Sequence, residues 1–367
     1  MERTGADNPR RNFGLETLPC SATIRLRINP MDFEKPDQLV PYLRARGHIG
    51  SDEKPAVQSL PGGVSNRTFL VRRRQGESWV IKQALPKLRV ATAWFSSPAR
   101  NHAEAMALRW LPKLAPPDTI PGLVFEDPEH HLLAMLAVPP PHENWKTLLL
   151  NGHVNQEHVC QFATLLGHIH RSSSEHKDEL LPLFQDQSFF ESLRLEPYYA
   201  YTASQLRDAA PFLNGLIRET RLHRDCLVHG DFSPKNVLIH AGRVVLLDHE
   251  VIHFGEPAFD LGFSFTHLLS KAHYLGAQRK SFVSAARLYW RSYLQAVAPI
   301  HQTADFESRV VRHTLACLLA RVAGRSTLEY FSPDHRRAQQ EVVLHLIRNI
   351  PQNATELIDS FACQLPA

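Results

Sequence analysis

Three side chains suited to metal and hydroxyl chemistry fall in one stretch, LVHGDFSPKNVLIHAGRVVLLDHE, from Leu227 to Glu250: Asp231, Asn236 and Asp248. Asp231 follows the apolar pair Leu227-Val228 and offers a carboxylate able to take the proton of an alcohol. Asn236, five positions later, can return across the loop to bind a cation, and Asp248, behind the strand-like run RVVLL, is a hard oxygen ligand suited to magnesium. Glu250 stands two residues further on, on the same face as Asp248 if the chain is extended there, and joins the candidate metal set. Phosphoryl transfer asks for this combination: a group beside the attacking hydroxyl, oxygen ligands for magnesium, and donors around the phosphates.

Those residues need elements to hold them. DQLVPYLRARG carries Leu39, Tyr42 and Leu43 at helical spacing and stops on Gly47. The β-rich runs in VQSLPGGVSNRTFLVRRR and ESWVIKQAL, punctuated by Gly62-Gly63 and Gln75-Gly76, predict an antiparallel meander. ARNHAEAMALRWLPKLAP predicts a helix burying Ala103, Met106, Ala107, Trp110, Leu111 and Leu114, and GLVFEDPEHHLLAMLAV predicts two strands about an Asp-Pro turn. The prolines at 139 to 141 read as a stiff connector and a lobe boundary. Beyond them, apolar periodicity predicts helices in 155–170, 205–222, 279–297, 307–323, 333–349 and 354–364, interrupted by one strand pair in the opening stretch. Phe254-Gly255-Glu256-Pro257 reads as a loop. Segregated strands and helices give an α+β class, with lobes at 31–138 and 139–367 and a ligand cleft between them.

Composition narrows the partners. A chain of 367 residues with net charge +4 and mixed signs lacks the basic stripe of a nucleic-acid binder. Five cysteines, scattered and without metal spacing, fit neither a disulfide framework nor a zinc site, and suit a reducing cytoplasm. No run is long and apolar enough to suggest a membrane span, and residues 1–30, without an apolar h-region, read as a loose leader. Oligomeric state is not indicated.

HGDFSPKN and LLDHE resemble the catalytic and metal-binding motifs of the aminoglycoside phosphotransferase and choline kinase-like enzymes, small-molecule relatives of protein kinases. Gly230 stands where the protein-kinase motif has Arg, Asp248-His249-Glu250 replaces Asp-Phe-Gly, and no Ala-Pro-Glu segment follows, so the chain departs from protein kinases proper. The resemblance implies a bilobal protein-kinase-like fold, ATP and Mg2+ as cofactors, and a small-molecule hydroxyl acceptor facing Asp231. LPGGVSNRTFLV is similar to the family's nucleotide-covering loop, with Gly62, Gly63, Ser65 and Asn66 near the phosphates. Lys82 in VIKQALP is similar to the phosphate-pairing lysine, with Glu104 to orient it, and IKQALPKLRV resembles 5-methylthioribose kinases. Asp260 in GEPAFDLGF is similar to a buried Asp that holds the catalytic loop in shape, and His229 reads as a structural member of that loop.

Each of these residues also has a plainer reading. The glycines make an ordinary hairpin, Lys82 a surface lysine, and Asn101 with Glu104 the two ends of a capping box. Two segments are candidates for the acceptor pocket: 189–203 with Arg194 and Glu196, and 320–330 with Arg321, Arg325 and Glu329. The functional readings left open are a kinase for an antibiotic or polar metabolite, a methylthioribose-like sugar kinase, and a nucleotide-binding module without turnover.

Overall fold

A computed structural model of the chain describes residues 33, 36–61, 63–89 and 94–366. The 1–30 leader and Gly62 lie outside the described residues. Five antiparallel strands, β1 (Ala56–Leu60), β2 (Asn66–Arg72), β3 (Trp79–Ala84), β4 (Leu123–Asp127) and β5 (Leu132–Leu136), lie in the order β1-β2-β3-β5-β4. Period-two alternation decides what each face carries. Phe69, Ile81 and Ala134 pair across β2, β3 and β5 and pack, with Val71 and Trp79, against Leu39, Tyr42 and Leu43 of α1 (Pro36–Ala45). Residues one step out of phase face the other way: Val80, Leu133 and Met135 cluster with Leu108 of α2 (Arg100–Leu114). Lys82, registered with Thr68 and Leu133, shares that phase.

The buried face of α2 differs from the expected one. Arg100, Asn101, Glu104, Ala105, Ala107, Leu108, Leu111 and Leu114 are buried, whereas Ala103, Met106 and Trp110 are half-buried. A helix that buries paired polar groups defeats a count of apolar residues.

After the three prolines, β6 (His142–Asn144) pairs with β8 (Val237–His240), which pairs with β9 (Arg243–Leu246); β7 (Cys226–Val228) pairs with β10 (His253–Gly255). Two small sheets thus replace the single expected strand pair, and Phe254-Gly255, expected as a loop, is strand. Three-residue strands are too short to show alternation in the sequence. The turn from β7 to β8 carries Asp231 and Asn236, and that from β9 to β10 carries Asp248 and Glu250.

The main helices of the remainder are α3 (Trp145–Leu150), α4 (Gln156–Glu175), α5 (Pro257–Tyr274), α6 (Arg279–Val297), α7 (Ala304–Ala323), α8 (Pro333–Arg348) and α9 (Ala354–Gln364). α4 packs on α6, and α5 on α6 and α7. α5 has every residue buried but Tyr274, so it has no polar face and no apolar period to betray it. Gly262 permits its close approach to α7, since a Cβ there would sit 2.7 Å from the His313 Cβ. Among the described residues no helix is long and apolar enough to cross a membrane.

Candidate active site

Asp260, fully buried in the first turn of α5, accepts hydrogen bonds from the backbone N–H of His229 at 2.6 Å and of Gly230 at 2.8 Å. Ser264, one turn on, donates to the Phe232 carbonyl at 2.8 Å. The loop after β7 is thus clamped at three backbone groups. Gly230 has φ +75°, and a Cβ there would stand 2.8 Å from Val251 Cγ1, which explains why no arginine occupies this position. His229 takes part through its backbone and through Nδ1, which accepts the Asp231 N–H at 3.2 Å.

The clamped loop presents Asp231. Its Oδ2 lies 3.0 Å from Arg194 Nη2 and 3.3 Å from Lys235 Nζ. Burial pushes the Asp231 carboxyl up, but Arg194 and Lys235 outweigh it and hold the group below its ordinary range. Asp231 is therefore a carboxylate at neutral pH. Asn236 spends its amide N–H on the Asp231 carbonyl at 3.0 Å, which leaves its amide oxygen without a protein donor among the described residues.

Arg194 comes from a π-helix, Glu191–Ala200, that also contains Pro197. Proline lacks the N–H that an α-helix would use, and π-helical turns are recurrent at functional sites. Arg194 donates from Nε to the Gly230 carbonyl at 2.6 Å as well, so this segment supports the loop directly.

Opposite Asp231, Lys82 Nζ donates to both oxygens of Glu104 at 2.8 Å and to Asp248 Oδ1 at 2.5 Å. The capping-box alternative for Glu104 does not form: Asn101 lies inside α2, and its amide donates to the Lys82 carbonyl at 3.2 Å and to the His131 carbonyl. Burial alone would lower the Lys82 pKa, but Asp248, Glu104 and Glu250 raise it above the ordinary lysine value. Burial raises the Asp248 carboxyl, yet Lys82 and Lys235 overcome this and leave it depressed. Glu104, sealed from water, is raised by burial against the opposing pull of Lys82.

Glu250 is placed differently from the sequence expectation. The chain is not extended at Asp248, whose φ is +67°, and it turns Glu250 toward the first sheet. There Glu250 Oε2 accepts from Arg100 Nε and Asn66 Nδ2, each at 3.0 Å. One oxygen of its carboxylate is thus held by Arg100 and by the side-chain amide of Asn66. Arg100, fully buried, also donates to the carbonyls of Ser65, Leu85, Ser96 and Ser97, tying the base of the Gly63–Asn66 turn to α2. The sequence reading missed Arg100, because a buried arginine leaves no pattern. Lys235 was also missed, although its spacing of four from Asp231 was a readable signal.

Most of these groups open on one cavity of about 1100 Å³. Gly63, Ser65, Asn66, Lys82, Asp231, Asn236, Asp248 and Glu250 line it; Glu104, His229 and Asp260 stand behind the wall. The lining combines apolar side chains, among them Val80, Met135, Leu238 and Leu247, with polar ones, among them Arg194 and Tyr198 of the π-helix and Arg321, Arg325 and Glu329.

Residues 56–292 match the phosphotransferase enzyme family. The chain belongs to that family. Over 266 residues it is 25% identical to a methylthioribose kinase of Pectobacterium atrosepticum, a match spanning 64% of each chain. Over 248 residues it is 25% identical to a methylthioribose kinase of Geobacillus kaustophilus, spanning 59% of this chain and 61% of the other. The chain thus covers less than two thirds of the length of these relatives.

The phosphotransferase fold is shared with an amicoumacin kinase solved with AMP-PNP, Ca2+ and Ami, at TM-score 0.56 and 12% identity, covering 87% of this chain and 95% of the other. A choline/ethanolamine kinase family protein from Mesorhizobium loti superposes at TM-score 0.53 and 12% identity, covering 89% and 99%. At such identities the likeness is one of fold, and it bears out the α+β, protein-kinase-like class expected from the motifs.

Proposed function

We propose that the protein is an ATP-dependent small-molecule kinase that moves the γ-phosphate to a hydroxyl of its acceptor. The observation that carries this reading is the convergence of Lys82, Asp231, Asn236 and Asp248 on one cavity whose lining is both apolar and polar. Apolar lining suits the base of a nucleotide, and Lys82, oriented by Glu104, suits its phosphates. Asp231, ionised and fixed by Arg194 and the Asp260-clamped loop, receives the hydroxyl proton as the oxygen attacks.

The residues fit magnesium. Asn236 has an uncommitted amide oxygen and Asp248 a depressed, ionised carboxylate, both hard oxygen donors. Glu250, held by Arg100, supports this pair from behind rather than joining it. Asn236 and Asp248 would hold the ion, and its charge would offset that of the phosphates.

A binding module without turnover accords poorly with this arrangement, because base, lysine and metal donors are all present and mutually oriented. The acceptor is a polar alcohol; a pentose of the kind named for the methylthioribose kinases is one class to test. Incubation of the native chain with ATP and Mg2+ against pentoses, amino sugars, choline-like alcohols and hydroxy acids, read by ADP release, tests the reading. Acceptor-dependent release supports it, and nucleotide binding without release from any class counts against it.

A further inference from the structure

Six lysine and arginine side chains are buried among the described residues: Lys82, Arg100, Arg194, Lys271, Arg309 and Arg321. Four have a carboxylate partner: Lys82 has Glu104 and Asp248, Arg100 has Glu250, Arg194 has Asp231, and Arg309 has Glu256. Arg321 and Lys271 form no ion pair among the described residues; Arg321 lines the cavity, and Lys271 touches two residues that do.

Arg321 lines the cavity and is 8% exposed. Its Nη1 donates only to neutral oxygens: Tyr198 Oη at 3.1 Å, Ser326 Oγ at 2.8 Å and the Ser326 carbonyl. Its Nε is buried with no partner. Lys271, fully buried on α5, donates to the His267 carbonyl at 3.2 Å and lies 5.6 Å from the Tyr330 ring centre; His267 and Tyr330 both line the cavity. Burial, reinforced by Lys146 and Arg321, lowers the Lys271 ammonium to about 7, as befits a cation without a counter-ion. The carboxylates nearby are already taken, Glu329 by Lys146 and Glu196 by Arg325.

A buried cation without a counter-ion is costly, and the other four among the described residues avoid that cost by pairing. We propose that the hydroxyl acceptor carries an anionic group, a carboxylate or a phosphate ester, which seats against the Arg321 guanidinium with Lys271 behind it. The inference rests on the phosphotransfer reading above and narrows its acceptor. A guanidinium fork offers paired N–H donors to such oxygens. A polycationic or quaternary-ammonium acceptor meets like charge at the same place.

The test titrates the native full chain, held in ADP and Mg2+, with ribose, ribose 5-phosphate, ribonate and glucosamine by calorimetry. Ribose 5-phosphate or ribonate should bind more tightly than ribose by roughly tenfold to a hundredfold, the range for hydrogen bonds to charged groups, and the better of the two identifies the anion. Arg321→Gln should remove most of that advantage, and Arg321→Lys should keep part of it. The proposal is overturned if neither anion outbinds ribose, if glucosamine does, or if Arg321→Gln leaves the preference intact. The comparison on the native chain stands even if a variant fails to fold. ADP release with ATP is read in parallel: anion preference without release from any acceptor counts against phosphotransfer, whereas release with neutral or cationic acceptors alone counts against the anion.

Discussion

Removing Lys82 and Glu104 singly and together probes the part of the site where the sequence left two readings. Lys82→Met strips the shared cation from Glu104, which is fully buried, and from Asp248, 2.5 Å away. Leaving buried carboxylates without their partner costs about 3–5 kcal/mol of folding stability. Glu104→Gln is milder, because Lys82 keeps Asp248; losing a hydrogen bond to a charged group costs roughly 1.5–3 kcal/mol. In the double variant the neutral amide that replaces the Glu104 carboxylate no longer suffers from the missing lysine, so the destabilisation falls short of the summed single losses by about 0.5–3 kcal/mol. Urea unfolding at neutral pH measures all four corners, and ADP-release rates on the same proteins measure the kinetic cycle. Each single variant lowers turnover, with the same non-additivity. Additive losses in both cycles refute the argument, and so does an unchanged rate in Glu104→Gln.

Other consequences follow from neighbouring contacts. Asp260→Ala releases two buried backbone N–H groups, at about 1–3 kcal/mol each, and thermal melts with nucleotide titrations should find lower stability and lost turnover but retained nucleotide affinity. Asp248→Asn removes the charged member of the proposed metal pair, so the dependence of nucleotide affinity on Mg2+ should weaken; an unchanged Mg2+ dependence would reassign Asp248. Asp231 and Asp248 both have folded pKa values below the ordinary 3.8. Their contribution to stability is present above that value and is lost as pH falls through the folded values, so urea midpoints should drop below about pH 4. The drop should be shallower in Asp231→Asn.

What was legible in the sequence was whatever depended on residue type at fixed spacing. HGDFSPKN and LLDHE are local, and the strands that flank them are short apolar runs, so Asp231, Asn236 and Asp248 could be read directly. Lys82 was legible through the resemblance of VIKQALP to the family's lysine-bearing strand, not through alternation, since β3 is buried at every position but Val80. The extended chain expected between Asp248 and Glu250 is not found, because Asp248 takes positive φ, a property of the fold around it. α5 was overlooked for a related reason: burial on every side erases the polar face that periodicity needs. Arg100 was beyond reach, and Arg321 was a candidate for the acceptor pocket whose lack of a counter-ion could not be read, since whether a buried arginine has a partner is decided by residues distant in sequence.

The most direct test of the central claim follows the γ-phosphate itself, from labelled ATP to the hydroxyl of an acceptor that supports ADP release, with native protein and Asp231→Asn side by side. A phosphate monoester should form with the native chain. In Asp231→Asn its formation should fall by roughly a hundredfold to ten-thousandfold, the span expected of a general base, while nucleotide affinity stays within a few-fold. Transfer at the native rate in Asp231→Asn, or ADP release with the label found only in free phosphate, would contradict the account.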